Sequence, residues 1–367
     1  MDKAADSIFM ARALQLAERG LFTTTPNPRV GCVIVKDGAV IGEGWHQMAG
    51  QPHAEVMALR SSVGAGDTPL GSTAYITLEP CSHFGKTPPC ADALIAAGIT
   101  RVVVAMQDPN PLVAGEGLAK LRAAGIAIEC GLLEHEAREL NIGFVSRMTR
   151  GRPWLRVKIA ASIDGKTALN NGVSQWITGE AARKNAHHWR ARSCAILTGI
   201  GSVKHDNPRL TVRDVTTLRQ PLRVVLDSQL EILPDAAVLR DGGALIFCAE
   251  QNQNRQQALE DAGAEVLVMP NADGRIDLAA MVQELGRRGV NEVLVEAGSA
   301  LNGALLAENL VDELLIYQAP ILIGEAARGM FAIGEITQLG DATRLHILER
   351  RTLGDDSLIR ACLFTAS

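Results

Sequence analysis

The chain has 367 residues, long for a single hydrophobic core, so two domains are expected. Hydrophobic residues make up 47% and charged residues 21%, which excludes a disordered chain and suits a globular one. A formal net charge of −5 with only 4% aromatic residues argues against a nucleic-acid surface, yet leaves room for a local basic pocket that takes a small anion.

Charged residues Asp2, Lys3, Asp6, Arg12, Glu18 and Arg19 interrupt the apolar positions at the start of the chain. No signal-peptide core fits there, and no apolar stretch of about eighteen residues occurs anywhere, so a cytoplasmic protein without a membrane span is expected. The spacing of Ile8, Ala11, Leu14 and Leu21 predicts a packed first helix. An apolar run at 30–35 returns at 39–44 after Lys36-Asp37-Gly38, which predicts a hairpin. A helix is predicted to begin near His53, followed by a glycine-rich loop at 64–71 and a strand at 73–78. A helix over 90–98, a strand at 102–106, a Pro/Asn/Gly loop, a helix at 117–124 and a strand at 126–130 complete this half. The alternation is that of an α/β three-layer domain.

A boundary is expected near residue 150, where Arg147, Arg150 and Arg152 surround Gly151 and Pro153, dividing the chain into 1–150 and 151–367. Beyond it, strands are predicted from Trp154 and at 195–198, 222–227, 244–248 and 265–269. Helix 278–288, strand 292–296, helix 300–310, strand 313–320 and closing strands near 345–349 and 357–364 follow.

The seven cysteines are odd in number and scattered, so no disulfide framework is expected and a reducing compartment fits. Cys32, Cys130, Cys194, Cys248 and Cys362 lie in apolar, strand-like runs and read as small buried hydrophobes. Cys81 and Cys90 differ, because each follows a proline and both lie downstream of His53-Ala54-Glu55. One imidazole and two thiolates supply the three protein ligands of a catalytic zinc site, leaving one position for water. Bound metal lowers the pKa of that water to about 7, and a carboxylate that is not a ligand, Glu55, would carry its proton to a leaving amine. His53 and Glu55 converge only in the first turn of a helix, since residues two apart do not share a face further in. A helix N-terminus is expected at Cys90 and is allowed at Cys81, where it would favour thiolate. The zinc-deaminase signature H-x-E…P-C-x-x-C is not met strictly, because Phe84 occupies the place of the second cysteine. Cys90 is then the third ligand, with His83 as its competitor. A site that is purely structural would fill all four positions and would not need Glu55.

The second half carries weaker signals. Gly199-Ile200-Gly201 follows a strand, but Lys204 stands where the dinucleotide fingerprint needs glycine, so a Rossmann domain is disfavoured. Glu296-Ala297-Gly298-Ser299-Ala300-Leu301-Asn302-Gly303 passes from a strand end into a helix whose free N–H groups suit a phosphate, although Ser299 serves equally as an N-cap.

The segments Thr25-Pro26-Asn27-Pro28-Arg29-Val30-Gly31, His53-Ala54-Glu55, 80–90 (PCSHFGKTPPC) and Asp108-Pro109-Asn110-Pro111 resemble the riboflavin-biosynthesis deaminase. The resemblance continues through 158–167 (KIAASIDGKT), Ser174-Gln175-Trp176-Ile177-Thr178, Asp206-Asn207-Pro208 and 295–298, so the whole chain resembles the bifunctional deaminase–reductase family. The extended cysteine spacing is one that this family shows. The resemblance implies an α/β fold with an N-terminal cytidine-deaminase-like domain and a C-terminal dihydrofolate-reductase-like domain. It implies one Zn2+ per chain, NADPH, and as substrate a diaminopyrimidinone carrying a ribosylamino 5′-phosphate, first deaminated and then reduced from ribosyl to ribityl.

In the deaminase half Lys86 and Thr87 suit a substrate phosphate, and Asn27 and His46 suit the ribose or the ring. In the reductase half the resemblance assigns Ala160, Trp176, Ser202, Asp206, Ser228 and Gly298, Ser299, Ala300, Leu301, Asn302, Gly303 and Ala304 to NADPH. It assigns Ser174, Arg190, Leu210, Arg213 and Glu296 to substrate, with the two arginine forks matching phosphate oxygens. Lys158 and Asp206 are candidates for polarising or protonating the ribose, against a strand-edge surface lysine as the plainer role of Lys158. A homo-oligomer is expected. The competing functions are a nucleic-acid deaminase, a zinc scaffold without catalysis, and a deaminase whose C-terminal domain binds without reducing.

Overall fold

The computed structural model of the chain describes residues 3–83 and 89–363. The chain divides into two compact units, Met1–Gly151 and Arg152–Ser367.

In the first unit the order is α1 (Lys3–Glu18), β1 (Gly31–Lys36), β2 (Ala39–Trp45), α2 (Ala54–Gly64), β3 (Thr73–Ile76), α3 (Cys90–Ala96), β4 (Arg101–Val104), α4 (Glu116–Ala123), β5 (Ala127–Cys130), α5 (Glu134–Leu140) and α6 (Ile142–Arg150). The predicted hairpin pairs Lys36 with Ala39, and Asp37 and Gly38 turn it at φ of 49° and 81°, as a tight turn between right-twisted strands requires. The sheet runs β2-β1-β3-β4-β5, antiparallel around β1 and parallel from β3 to β5. Helix α3 meets both α2 and α4, and α1 meets α5. At Gly44 a Cβ would stand 2.4 Å from the Ala54 oxygen, so α2 lies directly on β2 and brings its N-terminus to the sheet edge.

Three expectations need correction here. Helix α1 buries Asp6, Met10, Ala13, Leu14, Leu16 and Ala17, while Ile8 is exposed. The helical period was right and the face was offset, because a charged residue sits on the buried side: Arg101 grips Asp6 at 2.7 and 2.9 Å. Cys130 is exposed, since β5 is an edge strand with solvent on most of its surface, and Cys362 is half-buried. Cys81 lies in irregular chain, and only Cys90 opens a helix.

The second unit contains β6 (Trp154–Ser162), β7 (Lys166–Ala168), α7 (Glu180–Arg192), β8 (Ala195–Gly199), α8 (Ile200–Asp206), β9 (Leu222–Leu226), β10 (Ala244–Cys248), α9 (Gln253–Asp261), β11 (Ala264–Val268), α10 (Leu278–Arg287), β12 (Glu292–Val295), α11 (Ser299–Ala307), β13 (Glu313–Ala319), β14 (Arg328–Gly329), β15 (Leu345–Leu353) and β16 (Asp356–Leu363). Nine strands form one sheet in the order β11-β10-β9-β8-β12-β6-β13-β16-β15. The seven from β11 to β13 are parallel, and the hairpin of β15 and β16 closes one edge antiparallel. Their continuous apolar runs reflect burial on both faces. Helices α7, α8 and α9 were not predicted. Helix α7 buries only Ala182, Ala186, His187 and Ala191, a stripe too weakly apolar to reveal a helical period.

Candidate active sites

At the first site, His53 is the N-cap of α2 and Glu55 lies in its first turn, the one arrangement that lets residues two apart converge. His53 Nδ1 lies 3.3 Å from Cys90 Sγ and 3.6 Å from Cys81 Sγ, and the three donor atoms all fall within 4.8 Å of one another. Donors about 2.0–2.3 Å from one tetrahedral zinc stand roughly 3.5 Å apart, so the set fits that ion. Among the described residues no other group of His, Cys, Asp or Glu assembles in this way. The Cys90 amide donates to Cys81 Sγ at 3.3 Å. The Cys90 thiol foremost, then His53 and this amide, draw Cys81 toward thiolate against its burial, while Cys81, burial and Glu55 hold Cys90 up. Glu55 is buried beside them, and burial pushes its carboxyl up to about 7.

Asn27 and His46 join this site. Asn27 Nδ2 lies 3.1 Å from His46 Nε2, and His46 Nδ1 lies 3.2 Å from the Pro52 carbonyl. A carbonyl only accepts, so the proton is on Nδ1 and Nε2 accepts from Asn27. The His46 ring meets the His53 ring edge to face at 5.3 Å. Lys86 and Thr87 lie outside the described residues. Glu79, which no sequence signal singled out, stands two residues before Cys81 with its carboxylate buried.

The second site is a cavity of about 1210 Å³ at the carboxyl ends of the parallel strands, where open α/β sheets hold ligands. Strand period places Lys158 and Ala160 on the same face of β6, and both line the cavity together with Ser174, Trp176, Arg190, Ser202, Asp206, Leu210, Arg213, Ser228 and Glu296. Lys158 is no strand-edge surface residue: β6 is central, the ammonium lies 5.9 Å from the Tyr317 ring centroid, and burial lowers its pKa. Ser174 Oγ donates to Asp206 Oδ1 at 3.1 Å. Leu210 is buried with φ of 52°, a conformation unusual for its side chain.

The 298–304 span divides. Gly298, Ser299, Ala300, Leu301 and Ala304 line the cavity, whereas Asn302 and Gly303 do not. Asn302 is buried and donates to Met330 O at 3.2 Å, and a Cβ on Gly303 would stand 2.1 Å from Ala332 O. One helical turn cannot aim all its residues at one side. The N-cap of α11 is Gly298 rather than Ser299.

Sequence reasoning missed His187, Thr198 and Tyr317 in this cavity. The His187 ring accepts from the Arg213 amide at 3.3 Å and meets Asp214 at 3.3 Å, so it ties α7 to the segment carrying Arg213. Thr198 Oγ1 donates to Glu296 O at 2.7 Å, and Tyr317 OH donates to Asn185 Oδ1 at 2.7 Å. Each comes from a helix or strand whose sequence advertises only packing.

Residues 3–106 match the family model "Cytidine and deoxycytidylate deaminase zinc-binding region", and residues 153–359 match "RibD C-terminal domain". The Riboflavin biosynthesis protein RibD of Escherichia coli is 49% identical over 363 residues, covering 96% of this chain and 97% of that protein. The solved structure of Acinetobacter baumannii RibD, form 1, is 42% identical with a TM-score of 0.92, covering 99% of this chain and 100% of the other. A diaminohydroxyphosphoribosylaminopyrimidine deaminase/5-amino-6-(5-phosphoribosylamino)uracil reductase of Thermotoga maritima is 32% identical with a TM-score of 0.87, covering 99% of each chain. No helix among the described residues is long and apolar enough to cross a membrane. With a deaminase-like unit and a dihydrofolate-reductase-like unit both matched across nearly its full length, the chain belongs to the family of bifunctional deaminase–reductases of riboflavin biosynthesis.

Proposed function

We propose that the two activities divide at the boundary between the units: the first removes a ring amine from the diaminopyrimidinone ribosylamino 5′-phosphate, and the second reduces the product's ribosyl chain to ribityl. The chain is an enzyme of riboflavin biosynthesis, a deaminase and a reductase. A second unit that only binds is not favoured, because a relative in which both activities are named matches the chain nearly end to end.

The convergence of His53, Cys81 and Cys90 beside Glu55 carries the reading. These three residues would hold zinc, which when bound supplies a Lewis acid and water with a pKa of about 7. Glu55, with its carboxyl raised to about 7, can take a proton from water and give it to the departing amine, so that water and the C–NH2 group become C=O and ammonia. Asn27 and His46 orient the substrate from one side, and Lys86 and Thr87 take its phosphate.

In the second unit NADPH supplies the hydride. The N–H groups at the start of α11, with Ala160, Trp176, Ser202 and Ser228, would hold that cofactor. Arg213 and Arg190 receive the substrate phosphate, beside Ser174 and Leu210. Lys158 and Asp206 hold or move the proton that accompanies hydride addition to the opened sugar. The chain works in the cytoplasm as a homo-oligomer.

The test is NADPH oxidation by the full chain on the diaminopyrimidinone substrate, with and without prior zinc removal. Oxidation that depends on zinc is expected, because reduction follows deamination. Glu55→Gln should abolish ammonia release with zinc still bound. Normal turnover by that variant sinks the role of Glu55, and ammonia release without oxidation sinks that of the second unit.

A further inference from the structure

Glu79 is 6% exposed, and among the described residues four backbone amides donate to its carboxylate. Oε2 accepts from the amides of Asp108 at 3.0 Å and Gly115 at 2.9 Å. Oε1 accepts from Gly117 at 2.8 Å and Leu118 at 3.2 Å. A carboxylate is ruinous to bury unless so satisfied, and bonds to an ionic group are roughly twice as strong as neutral ones. Two of the donors belong to the first turn of α4, where the helix dipole adds its attraction.

The position of Glu79 matters as much as its bonds. Its own amide donates to Met106 O at 3.0 Å, and only Pro80, rigid in φ, separates it from Cys81. A Cβ on Gly117 would stand 2.0 Å from the Pro80 oxygen, so α4 is pressed against that proline without slack. On its other side Cys81 is tied to Cys90 and Ala91, themselves part of the metal-binding helix. Asp108 begins the Asp-Pro-Asn-Pro motif, which the chemistry above leaves without a task, and its amide ends on the same carboxylate.

We propose that Glu79 is the positioning residue of the metal turn: it fastens the 108–118 segment to the backbone before Cys81 and so holds that thiolate in place for zinc. The inference rests on the zinc site described under the proposed function. It differs from a plain helix cap, which would stabilise α4 and leave metal affinity alone.

The first measurement compares the full wild-type chain with Glu79→Gln in competition for zinc against a metallochromic chelator. The amide turns one accepting oxygen into a donor that faces two N–H groups, so two bonds are lost. Zinc affinity should fall about 10–100-fold, the usual effect of removing support behind a ligand. NADPH oxidation on substrate already deaminated should be unchanged, reporting an intact second unit. A lower melting temperature with wild-type zinc affinity overturns the inference and leaves a cap. The second measurement needs no variant, and so decides the matter if Glu79→Gln does not fold. Coupling is reciprocal, so stripping zinc from wild type should speed hydrogen exchange at the amides of Asp108, Gly115, Gly117 and Leu118. Unchanged protection there overturns the inference alone, whereas a wild-type chain that binds no zinc overturns the zinc site and this inference with it.

Discussion

Arg190 grips Glu296 with both arms of its guanidinium, Nε to Oε1 at 2.6 Å and Nη2 to Oε2 at 2.8 Å, inside the reductase cavity. Burial by itself raises the Glu296 carboxyl. Arg190 overrides it, with help from Lys158, and holds Glu296 at about 2. The Arg190 Nη1 group is occupied as well, by Thr211 O at 3.0 Å, which leaves Arg213 as the more exposed of the two phosphate candidates.

Glu296→Gln should therefore destabilise the second unit by about 1–3 kcal/mol at pH 7, because it takes the charge partner from a half-buried guanidinium. A depressed carboxyl contributes stability that is whole above its unfolded value, near 4.3, and is lost as pH falls through the folded value of about 2. The gap between wild type and variant should thus shrink on acidification across that window. Urea unfolding at pH 7 and pH 3 measures both, and an equal gap at the two pH values contradicts the assignment.

His187 has the opposite charge logic with the same outcome. Burial first, then Arg190, lowers it to about 4. Between about 4 and the ordinary value near 6.5 the unfolded chain binds the extra proton, so its contribution is whole above pH 6.5 and declines toward pH 4. His187→Gln should flatten stability against pH between those limits. It should also raise KM for phosphorylated substrate more than it lowers kcat, since the ring steadies the segment carrying Arg213. A variant with the wild-type slope removes His187 as the titrating group.

Arg156 is 1% exposed and lies between Glu292 and Glu313, both buried, with its guanidinium 5.0 Å from the Trp189 ring centroid. Arg156→Met removes the cation shared by two carboxylates, which keep only Arg192 and Arg360, and should cost about 1–3 kcal/mol. Arg156→Lys should recover little, because one ammonium cannot replace a fork that meets two partners. Urea unfolding followed by tryptophan fluorescence reports the loss directly.

Gly303→Ala introduces a methyl 2.1 Å from Ala332 O, and the Ala332 amide donates to Ser299 O at 2.9 Å. The first turn of α11 must then shift away from that segment. KM for NADPH should rise severalfold while ammonia release in the first unit stays unchanged. An unaltered KM for NADPH would separate this helix start from cofactor binding.

The elements with strong periodicity were legible in the sequence, from the Asp37-Gly38 hairpin to the apolar parallel strands of the second unit, because turn chemistry and burial on two faces are local constraints. So was the grouping of His53, Cys81 and Cys90, since an H-A-E run and two cysteines after prolines carry their chemistry in residue type. The face of α1 was not legible: only the long-range Asp6–Arg101 pair turns a charged residue inward and Ile8 outward. Helix α7 was hidden because alanines and a histidine fill its buried stripe. The roles of Glu79, His187 and Tyr317 come from partners 26 to 132 residues away in the chain. Chemical identity is written residue by residue, but hydrogen-bond closure and the direction a side chain faces exist only once distant segments share one neighbourhood.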